Sequence, residues 1–516
     1  MKQTASQNPV LVEIDGHSLT LAQIVRVARQ GAKVQIAETA LQNMRTSRDT
    51  VERILQREAP VYGINTGFGS LSSVRISNEQ TGLLQKNLIL SHAVGCGQPL
   101  PTEVVRAMLL LRANALCQGY SGIRPVVVET LISMLNRGVH PVVPSKGSLG
   151  ASGDLAPLSH MAMVMLGHGE AEVQGQILPG AEAMEKAGLP LVSLQAKEGL
   201  ALINGTQLMG GLGALALQDA LDLCKLADIS AAMTLEALQG QLDAFDERVH
   251  AVRPHQGQKL VANNIRALCA DSGNLAACKG QRVQDAYSLR CVPQVHGAVR
   301  GAVKHVEEVL GTEFNAVTDN PLIFSDDETV ISGGNFHGEP LALALDYLGI
   351  AVAELANISE RRLERLVNPQ LSGGLPPFLA RDAGVNSGMM IVQYTAASLV
   401  SENKVLAHPA SVDSIPSSAN QEDHVSMGAT AARKLRQIVE NTQSVLSLEL
   451  MASAQALDLR GCEPSPVIRA VLDRIRKKVP ALQEDRELRF DVNAMHDLVR
   501  SGELTQLVMN HRPAFQ

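Results

Sequence analysis

Residues 341–367 read LALALDYLGIAVAELANISERRLERLV and place apolar side chains at alternating steps of four and three residues. This spacing puts those side chains on one face of an α-helix that packs against neighbouring elements. The helix is predicted to end at Val367, because Asn368-Pro369 follows and a proline disfavours helical backbone at the residue before it. The apolar face consists of Leu341, Leu345, Leu348, Val352 and Leu355.

Two further long helices are predicted from the second half of the chain. One carries a stripe of valines, and another is predicted from Val425 to Met451. Few linker-like stretches separate these segments, so residues 201–456 are predicted to form one central bundle of long helices. Residues 457–516 are more charged and are predicted to form a small helical appendix. The valine stripe consists of Val295, Val299, Val303 and Val306.

Residues 1–200 have a different texture, because clusters of Gly and Pro repeatedly interrupt their helical patterns. The alternating stretch 10–14 (VLVEI) predicts a small β element. Residues 38–58 predict a helix that Pro60 stops. The predicted fold class is therefore mainly α, with a loop-rich N-terminal body and a small β element, followed by the helix bundle.

Composition limits the classes of function. The 516 residues, 45% hydrophobic and 19% charged, can build a large core. A net charge of −7 argues against nucleic acid or an anionic membrane as a partner. No uncharged apolar run approaches the ~20 residues that span a bilayer, and the N-terminus lacks a signal pattern. We expect a soluble, cytoplasmic protein.

Several familiar sites are excluded. The seven cysteines are scattered without a Cys-x-x-Cys pair, which disfavours both a disulfide framework and a structural zinc site. No metal site is predicted. The glycine-rich stretch GINTGFGS lacks the Gly-Lys-Ser/Thr end of a phosphate-binding loop. A nucleophile elbow at Ser152 would need glycine where Asp154 stands.

The stretch GSLGASGDLAPLSHMA, residues 147–162, allows two interpretations. In the simpler one it is a flexible loop followed by a helix that Asp154 caps, with Pro157 tolerated in the first turn. In the other, a tight turn lets the Gly153 nitrogen attack the Ala151 carbonyl carbon, since glycine has no Cβ to obstruct the approach. Loss of that water and of the Ser152 hydroxyl would leave a ring with an electrophilic methylene.

This stretch resembles the signature of the aromatic amino-acid ammonia-lyases and aminomutases. The resemblance covers nearly the whole chain, from YGINTGFG (62–69) to NQEDHVSMG (420–428), with the motifs in the same order. It implies a 4-methylidene-imidazol-5-one (MIO) group formed from Ala151, Ser152 and Gly153, without an external cofactor. It also implies a mostly helical homotetramer in which several subunits contribute to each active site.

The resemblance assigns roles to further residues. Tyr62 corresponds to the base that removes the substrate β-proton. Asn204, in LINGTQ, corresponds to the asparagine that contacts the prosthetic ring and the substrate carboxylate. Phe336, in GGNFHG, corresponds to a ring packed near the prosthetic group. Without the family, a buried tyrosine, a turn asparagine and a core phenylalanine would be sufficient explanations.

The stretch QDAYSLRCVPQVHG also matches the family. Arg290 corresponds to the arginine that grips the substrate carboxylate, a role that its bidentate guanidinium suits. Gln284 and Tyr287 correspond to residues that line the site and hold the prosthetic group. If the stretch is helical, these three residues share one face.

Three features favour the histidine-specific members of the family. Ser91-His92 stands where the tyrosine- and phenylalanine-specific members carry His-Leu or Phe-Leu. Glu422 can accept a hydrogen bond from an imidazole N–H, whereas it would be an unpaired charge against a phenyl ring. Met390, in NSGMMIVQ, also matches the histidine-specific pattern, although a helical methionine is often a core residue.

The predicted reaction is the non-oxidative deamination of L-histidine to trans-urocanate and ammonia, a step of histidine degradation. An ammonia-lyase for tyrosine or phenylalanine is an alternative, as is a 2,3-aminomutase with the same prosthetic group. A helical scaffold without catalytic activity is the remaining alternative, and an unprocessed Ala151-to-Gly153 peptide would favour it.

Overall fold

The computed structural model describes residues 11–57, 60–67 and 74–516. The chain divides into two compact units, each assembled from three separate stretches. The first unit comprises Met1–Leu215, Glu307–Asp346 and Pro409–Arg433, and the second comprises Ala216–Val306, Tyr347–His408 and Lys434–Gln516. The three-part division at residues 200 and 456 stays a prediction.

Short helices and short strands alternate through the first 206 residues. The strands of the described residues are β1 (Leu11–Ile14), β2 (Lys33–Ile36), β3 (Cys96–Pro99), β4 (Val139–Pro141), β5 (Pro144–Lys146), β6 (Glu170–Val173), β7 (Gln176–Pro179), β8 (Leu322–Phe324) and β9 (Thr329–Ile331). The helices of this part are α1 (Leu21–Gln30), α2 (Glu38–Leu55), α3 (Thr81–His92), α4 (Thr102–Cys117), α5 (Pro125–Arg137), α6 (Leu155–Met163), α7 (Gly180–Lys186) and α8 (Glu198–Ile203).

Longer helices dominate the rest of the chain. They are α9 (Gln207–Ala237), α10 (Glu247–Ala251), α11 (Gln256–Leu268), α12 (Gly273–Ala277), α13 (Tyr287–Arg290), α14 (Val292–Glu313), α15 (Glu339–Val367), α16 (Met390–Leu406), α17 (Gly428–Arg460), α18 (Pro466–Arg476), α19 (Arg489–Arg500) and α20 (Glu503–His511). The mainly α fold class is confirmed, and α15 contains the whole predicted stripe, all five residues of which are buried.

The strands form four small sheets among the described residues. β1 pairs with β2 in parallel, whereas β3–β5, β4–β6–β7 and β8–β9 are antiparallel. The predicted β element is thus β1, and its first residue, Val10, lies outside the described residues. α2 begins at Glu38 as predicted but ends at Leu55, because the next two residues already form a turn; Glu58, the predicted last residue, lies outside the described residues.

Buried polar contacts join the long helices within the second unit. Glu449 of α17 accepts hydrogen bonds from Thr234 of α9 and from Ser359 of α15, each with a donor–acceptor distance of 2.6 Å. Arg362 of α15 binds the same carboxylate through Nε at 2.6 Å and Nη2 at 2.8 Å. Because a buried charge is costly without partners, these contacts fix the register of the three helices.

α17 begins later than predicted, at Gly428 rather than Val425. Met427 has a left-handed backbone (φ 55°), and its N–H donates to the Leu149 carbonyl at 2.8 Å. Residues 425–427 therefore pair with a distant loop instead of continuing the helix towards its N-terminus. Val425 is fully buried there, so the apolar pattern was identified correctly but assigned to the wrong element.

α15 is also, among the described residues, the one helix long and apolar enough to cross a bilayer. Within its apolar window, 67% of the residues are buried inside the protein. That burial is typical of a core helix in a globular fold.

Candidate active site

The loop between β5 and α6 contains the Ala-Ser-Gly tripeptide, and a second backbone segment holds it from one side. Gly153 forms a parallel bridge with Gly205, and the Asp154 N–H donates to the Gly205 carbonyl at 2.7 Å. Gly153 has φ +73°, and a Cβ at this position would lie 2.2 Å from the Gly205 oxygen. Only glycine fits here, because both the backbone conformation and the space exclude a side chain.

The Asp154 side chain caps a different helix from the one predicted. It makes no capping bond to α6, which begins at the next residue. Its Oδ2 instead accepts the N–H groups of Leu208 at 2.9 Å and Met209 at 3.0 Å, in the first turn of α9. Ser148 Oγ donates to the other oxygen at 2.8 Å. The carboxylate thereby ties the loop to the positive end of a long helix.

Burial raises the pKa of Asp154 from 3.8 to about 6, although the hydrogen bonds from Met209, Ser148 and Leu208 oppose that shift. The folded chain therefore holds this proton more tightly than the unfolded chain between pH 4 and 6. The free energy of unfolding falls as pH rises through that window, and the ionised form costs about 3 kcal/mol at pH 7.

We expect Asp154→Asn to flatten this pH dependence, because the amide cannot ionise. Urea unfolding of both proteins at several pH values between 4 and 7 measures the two slopes. Asp326→Asn, at an exposed carboxylate, is the matched control and should keep the wild-type slope. Equal slopes for wild type and Asp154→Asn would contradict the prediction.

The other side of the loop packs against the segment that precedes α17. Ala151 is buried against Val425 and Met427. Ser426 Oγ donates to the Gly150 carbonyl at 3.0 Å. These two contacts add to the bridge at Gly153, so the tripeptide is confined from both sides.

Ser152 is the residue of the tripeptide that faces open space. Its hydroxyl donates to Glu422 Oε1 at 2.8 Å, and its carbonyl accepts from Asn204 Nδ2 at 2.8 Å. Ser417 Oγ holds the other Glu422 oxygen at 2.7 Å. The serine is thus held through its hydroxyl and its carbonyl.

A cavity of about 1200 Å³ opens over Ser152. The structure brings six other predicted site residues to its walls. They are Tyr62, Ser91, His92, Asn204, Phe336 and Glu422. A space of this size would accept an amino acid, with polar groups of both hydrogen-bonding types around it.

Ser91 and His92 form the C-terminal end of α3. Ser91 Oγ and His92 Nδ1 lie 3.0 Å apart. Burial lowers the pKa of His92, while the Leu88 carbonyl and the negative charge of Glu422 act in the opposite direction. At neutral pH the ring is therefore uncharged, with one nitrogen able to donate and the other to accept.

Tyr62 is placed by a tight turn. The Ile64 and Asn65 N–H groups both donate to the Val61 carbonyl at 3.2 Å, and Asn65 Oδ1 accepts from the Val61 N–H at 2.7 Å. Gly63 has φ +72°, and a Cβ there would lie 2.9 Å from the Pro321 ring. The rest of the stretch predicted as one motif, residues 68–69, lies outside the described residues.

A fully buried ion pair near this cavity was not anticipated from the sequence. Lys197 Nζ lies 2.9 Å from Asp319 Oδ2, and both side chains are almost completely buried. Lys197 directly precedes α8, which ends before Asn204, and Asp319 directly precedes the cavity residue Asn320. Arg112 donates to the Ala201 carbonyl at 2.9 Å and to the Thr318 carbonyl at 3.1 Å. These contacts fasten two wall segments to one another.

Breaking this pair should destabilise the protein. We expect Lys197→Met to lower the free energy of unfolding by about 3 kcal/mol, since Asp319 would lose the cation that it contacts directly. The double variant Lys197→Met/Asp319→Leu should recover part of that loss, because it also removes the charge that offsets buried Arg112. Arg53→Ala, at the exposed pair with Glu328, should cost less than about 1 kcal/mol. Denaturant unfolding of the four proteins measures the effect, and equal values for Lys197→Met and Arg53→Ala would refute it.

The cavity wall also contains polar residues that the sequence reasoning missed, among them Asn87, Asn320 and Gln421. Asn87 could have been found, because it lies four residues before Ser91 on the same helix face. Nothing local marks Asn320 or Gln421, whose positions depend on how distant loops return to the site.

Four predicted site residues lie in the second unit, outside the residues that line this cavity. They are Gln284, Tyr287, Arg290 and Met390. Tyr287 is 71% exposed, and the Arg290 guanidinium lies 4.7 Å from the centre of its ring. Met390 is the first residue of α16. Their roles at the site stay predictions.

The stretch from Gln284 to Arg290 is not one helix, so the condition under which Gln284, Tyr287 and Arg290 would share a face is not met. α13 spans only Tyr287–Arg290, and Gln284 is exposed on the segment before it. That segment is held by Asp285, whose carboxylate accepts the Gln241 N–H at 2.6 Å. The helix therefore starts three residues after Gln284.

The similarity to known proteins extends over nearly the whole chain. The family described as "Aromatic amino acid lyase" matches residues 19–477. A histidine ammonia-lyase of Alkaliphilus metalliredigens (strain QYMF) is 59% identical over 498 residues, which are 96% of this chain and 98% of that protein. A crystal structure of histidine ammonia-lyase from Trypanosoma cruzi is 43% identical, with a TM-score of 0.91 over 98% of this chain and 96% of that one. A tyrosine aminomutase from Streptomyces globisporus is 37% identical, with a TM-score of 0.92 over 97% and 99%.

The protein is therefore a lyase, and the chain belongs to the aromatic amino acid lyase family. Enzymes of this family generally depend on an MIO group. The resemblance noted in the sequence is confirmed at the level of the family.

Proposed function

We propose that this enzyme eliminates ammonia from L-histidine to give trans-urocanate. The observation that carries the proposal is the carboxylate of Glu422, fixed 2.8 Å from Ser152 Oγ in a cavity that Ser91 and His92 also line. A carboxylate in this position would pair with an imidazole N–H, but it would face a phenyl ring without a partner. Relatives named as histidine ammonia-lyases, 53–59% identical, support the same substrate.

The residues of the loop fit an MIO group formed from Ala151, Ser152 and Gly153. Gly153 is confined where a Cβ cannot stand, and Ala151 is small and buried against Val425 and Met427. The Ser152 hydroxyl, which ring formation would remove, points into the cavity beside Glu422. When formed, the group would supply an electrophile that bonds covalently to the substrate and divides the elimination into two easier steps.

Proton removal and substrate binding are assigned to other side chains around the cavity. Tyr62 is positioned by its turn to remove the β-proton, which is barely acidic in free histidine. Asn204 holds the Ser152 carbonyl and lies where a substrate carboxylate can reach it. Uncharged His92 and Ser91 offer hydrogen bonds to an imidazole, and Glu422 orients that ring. Phe336 contributes an apolar wall.

We further propose that the active enzyme is a cytoplasmic homotetramer with shared active sites. Support comes from Tyr287 and from apolar residues that are exposed on this chain, such as Val283 at 104% and Ile391 at 59%. Gln284, Arg290 and Met390 would then complete the site of another subunit, with Arg290 gripping the substrate carboxylate. Light scattering would test the assembly, and a monomer of full activity would refute it.

The experiment that tests the reaction is the appearance of product absorbance when purified protein meets L-histidine, with L-tyrosine and L-phenylalanine run in parallel. Urocanate from histidine alone is the expected result. Cinnamate or coumarate as the main product would overturn the substrate assignment and leave the chemistry in place.

The aminomutase alternative has its own observation, the 37% identity to a tyrosine aminomutase of the same fold. Analysis of the products for a β-amino acid distinguishes it. A β-amino acid as the main product would replace the proposed elimination by a 2,3-amino shift, whereas free ammonia in equal amount to urocanate supports a lyase.

A further inference from the structure

Glu422 contacts the one hydroxyl that must leave when the ring forms. Ser152 Oγ donates to Glu422 Oε1 at 2.8 Å. Ring formation consumes this hydroxyl, so a contact between these two groups can act only on steps that come before imidazole binding. The inference rests on the proposed function, in which Ala151, Ser152 and Gly153 close into a ring.

The carboxylate is held in place from its own loop. Ser417 Oγ donates to Oε2 at 2.7 Å. The backbones of Ser417 and Glu422 also bond to each other in both directions, at 2.9 and 3.2 Å. The turn between them is tight, since residues 418–420 all have left-handed φ values. One oxygen is thus fixed, and the other faces the serine hydroxyl.

The second acid next to the tripeptide cannot serve the same hydroxyl. Both oxygens of the Asp154 carboxylate are engaged, by the N-terminus of α9 and by Ser148. Meanwhile Asn204 donates to the Ser152 carbonyl, which stabilises negative charge on that carbonyl when the adjacent Cα loses a proton. The leaving hydroxyl therefore has a carboxylate beside it that can relay a proton, and the carbon that loses its proton has a stabilising donor on the adjacent carbonyl.

We propose that Glu422 is the proton donor for the loss of the Ser152 hydroxyl during ring maturation. Ring closure joins the Gly153 nitrogen to the Ala151 carbon, and the Ala151 oxygen leaves as water with the amide hydrogens of Gly153 and Ser152. In the second dehydration, the Glu422 carboxylate takes a proton from solvent and passes it to Oγ as the Ser152 Cβ–Oγ bond breaks, so that Oγ leaves as water. The Cα proton passes to solvent, Cα and Cβ become doubly bonded, and Glu422 is again a carboxylate that accepts hydrogen bonds. No oxidant is needed.

The test measures the mass of the peptide that contains residues 151–153 during cell-free synthesis, without substrate. In Glu422→Gln, which keeps the size but cannot supply a proton in this way, we expect loss of the second water to slow by about 100-fold. A peptide lighter by one water, with the Ser152 hydroxyl retained, should accumulate. Wild type should lose both waters.

Asp423→Asn is the matched control, since it removes one exposed carboxylate from the adjacent position and should mature like wild type. Circular dichroism and thermal unfolding verify that Glu422→Gln folds. Loss of both waters at the wild-type rate in Glu422→Gln would overturn the inference while the proposed function stands. A peptide that loses neither water would assign Glu422 to ring closure instead, which also overturns its role at the hydroxyl. A wild-type peptide that loses no water would refute the proposed function itself.

Discussion

Ser152→Ala is expected to lower the rate of urocanate formation by about 10⁴-fold or more, because alanine has no hydroxyl to lose and no methylene can form. The fold should survive this change. Ser152 is partly exposed to the cavity, and the substitution removes one hydrogen bond, to Glu422, worth about 1 kcal/mol. Product absorbance measures the activity, and denaturant unfolding measures the stability.

Ser159→Ala provides a matched control for that experiment. It makes the same chemical change seven residues later, at a buried hydroxyl that has no hydrogen-bond partner among the described residues. We expect it to keep both activity and stability. Wild-type turnover in Ser152→Ala would refute the assignment of the prosthetic group to this tripeptide.

Gly153→Ala is expected to abolish turnover as completely and, in addition, to destabilise the fold by about 3–5 kcal/mol. Its Cβ would lie 2.2 Å from the Gly205 oxygen, at a backbone with φ +73°. The added atom would force Gly153 and Gly205 apart, break the bridge between them and move the attacking nitrogen. The loop peptide should then keep its unprocessed mass.

Gly175→Ala separates backbone strain from collision. Gly175 has a similar φ of +79°, but nothing lies within 4 Å of a Cβ built there. We expect that variant to lose about 1 kcal/mol and no activity, since only the left-handed backbone is penalised. Equal stability losses at the two glycines would mean that the contact with Gly205 has no energetic importance.

The long helices could be predicted because their signal is local. The stripe from Leu341 to Leu355 repeats with the period of a helix, and burial of that face follows from the same pattern. The start of α17 could not be predicted in this way. Val425 continues the apolar pattern, yet Met427 bonds to Leu149, and no pattern within the segment marks a partner so far away along the chain.

The same distinction applies to the site. Ring closure at Ala151, Ser152 and Gly153 can be raised as a hypothesis from three adjacent residues, and it stays a prediction. The helix that Asp154 caps could not, because its partners Leu208 and Met209 are 54 and 55 positions away. Lys197 and Asp319, 122 positions apart, are likewise two ordinary charged residues until the fold buries them together.

The residues that hold the tripeptide loop are synthesised after the loop itself, because a chain grows from its N-terminus. Gly205 must be synthesised before Gly153 has its bridge, and Ser426 comes 276 residues after Gly150, the residue that it holds. A nascent chain stalled at residue 400 would contain the tripeptide but not Ser426, which holds the Gly150 carbonyl. Completion of the prosthetic group would thus record that synthesis and folding of this unit had finished, so incomplete chains would stay chemically inert.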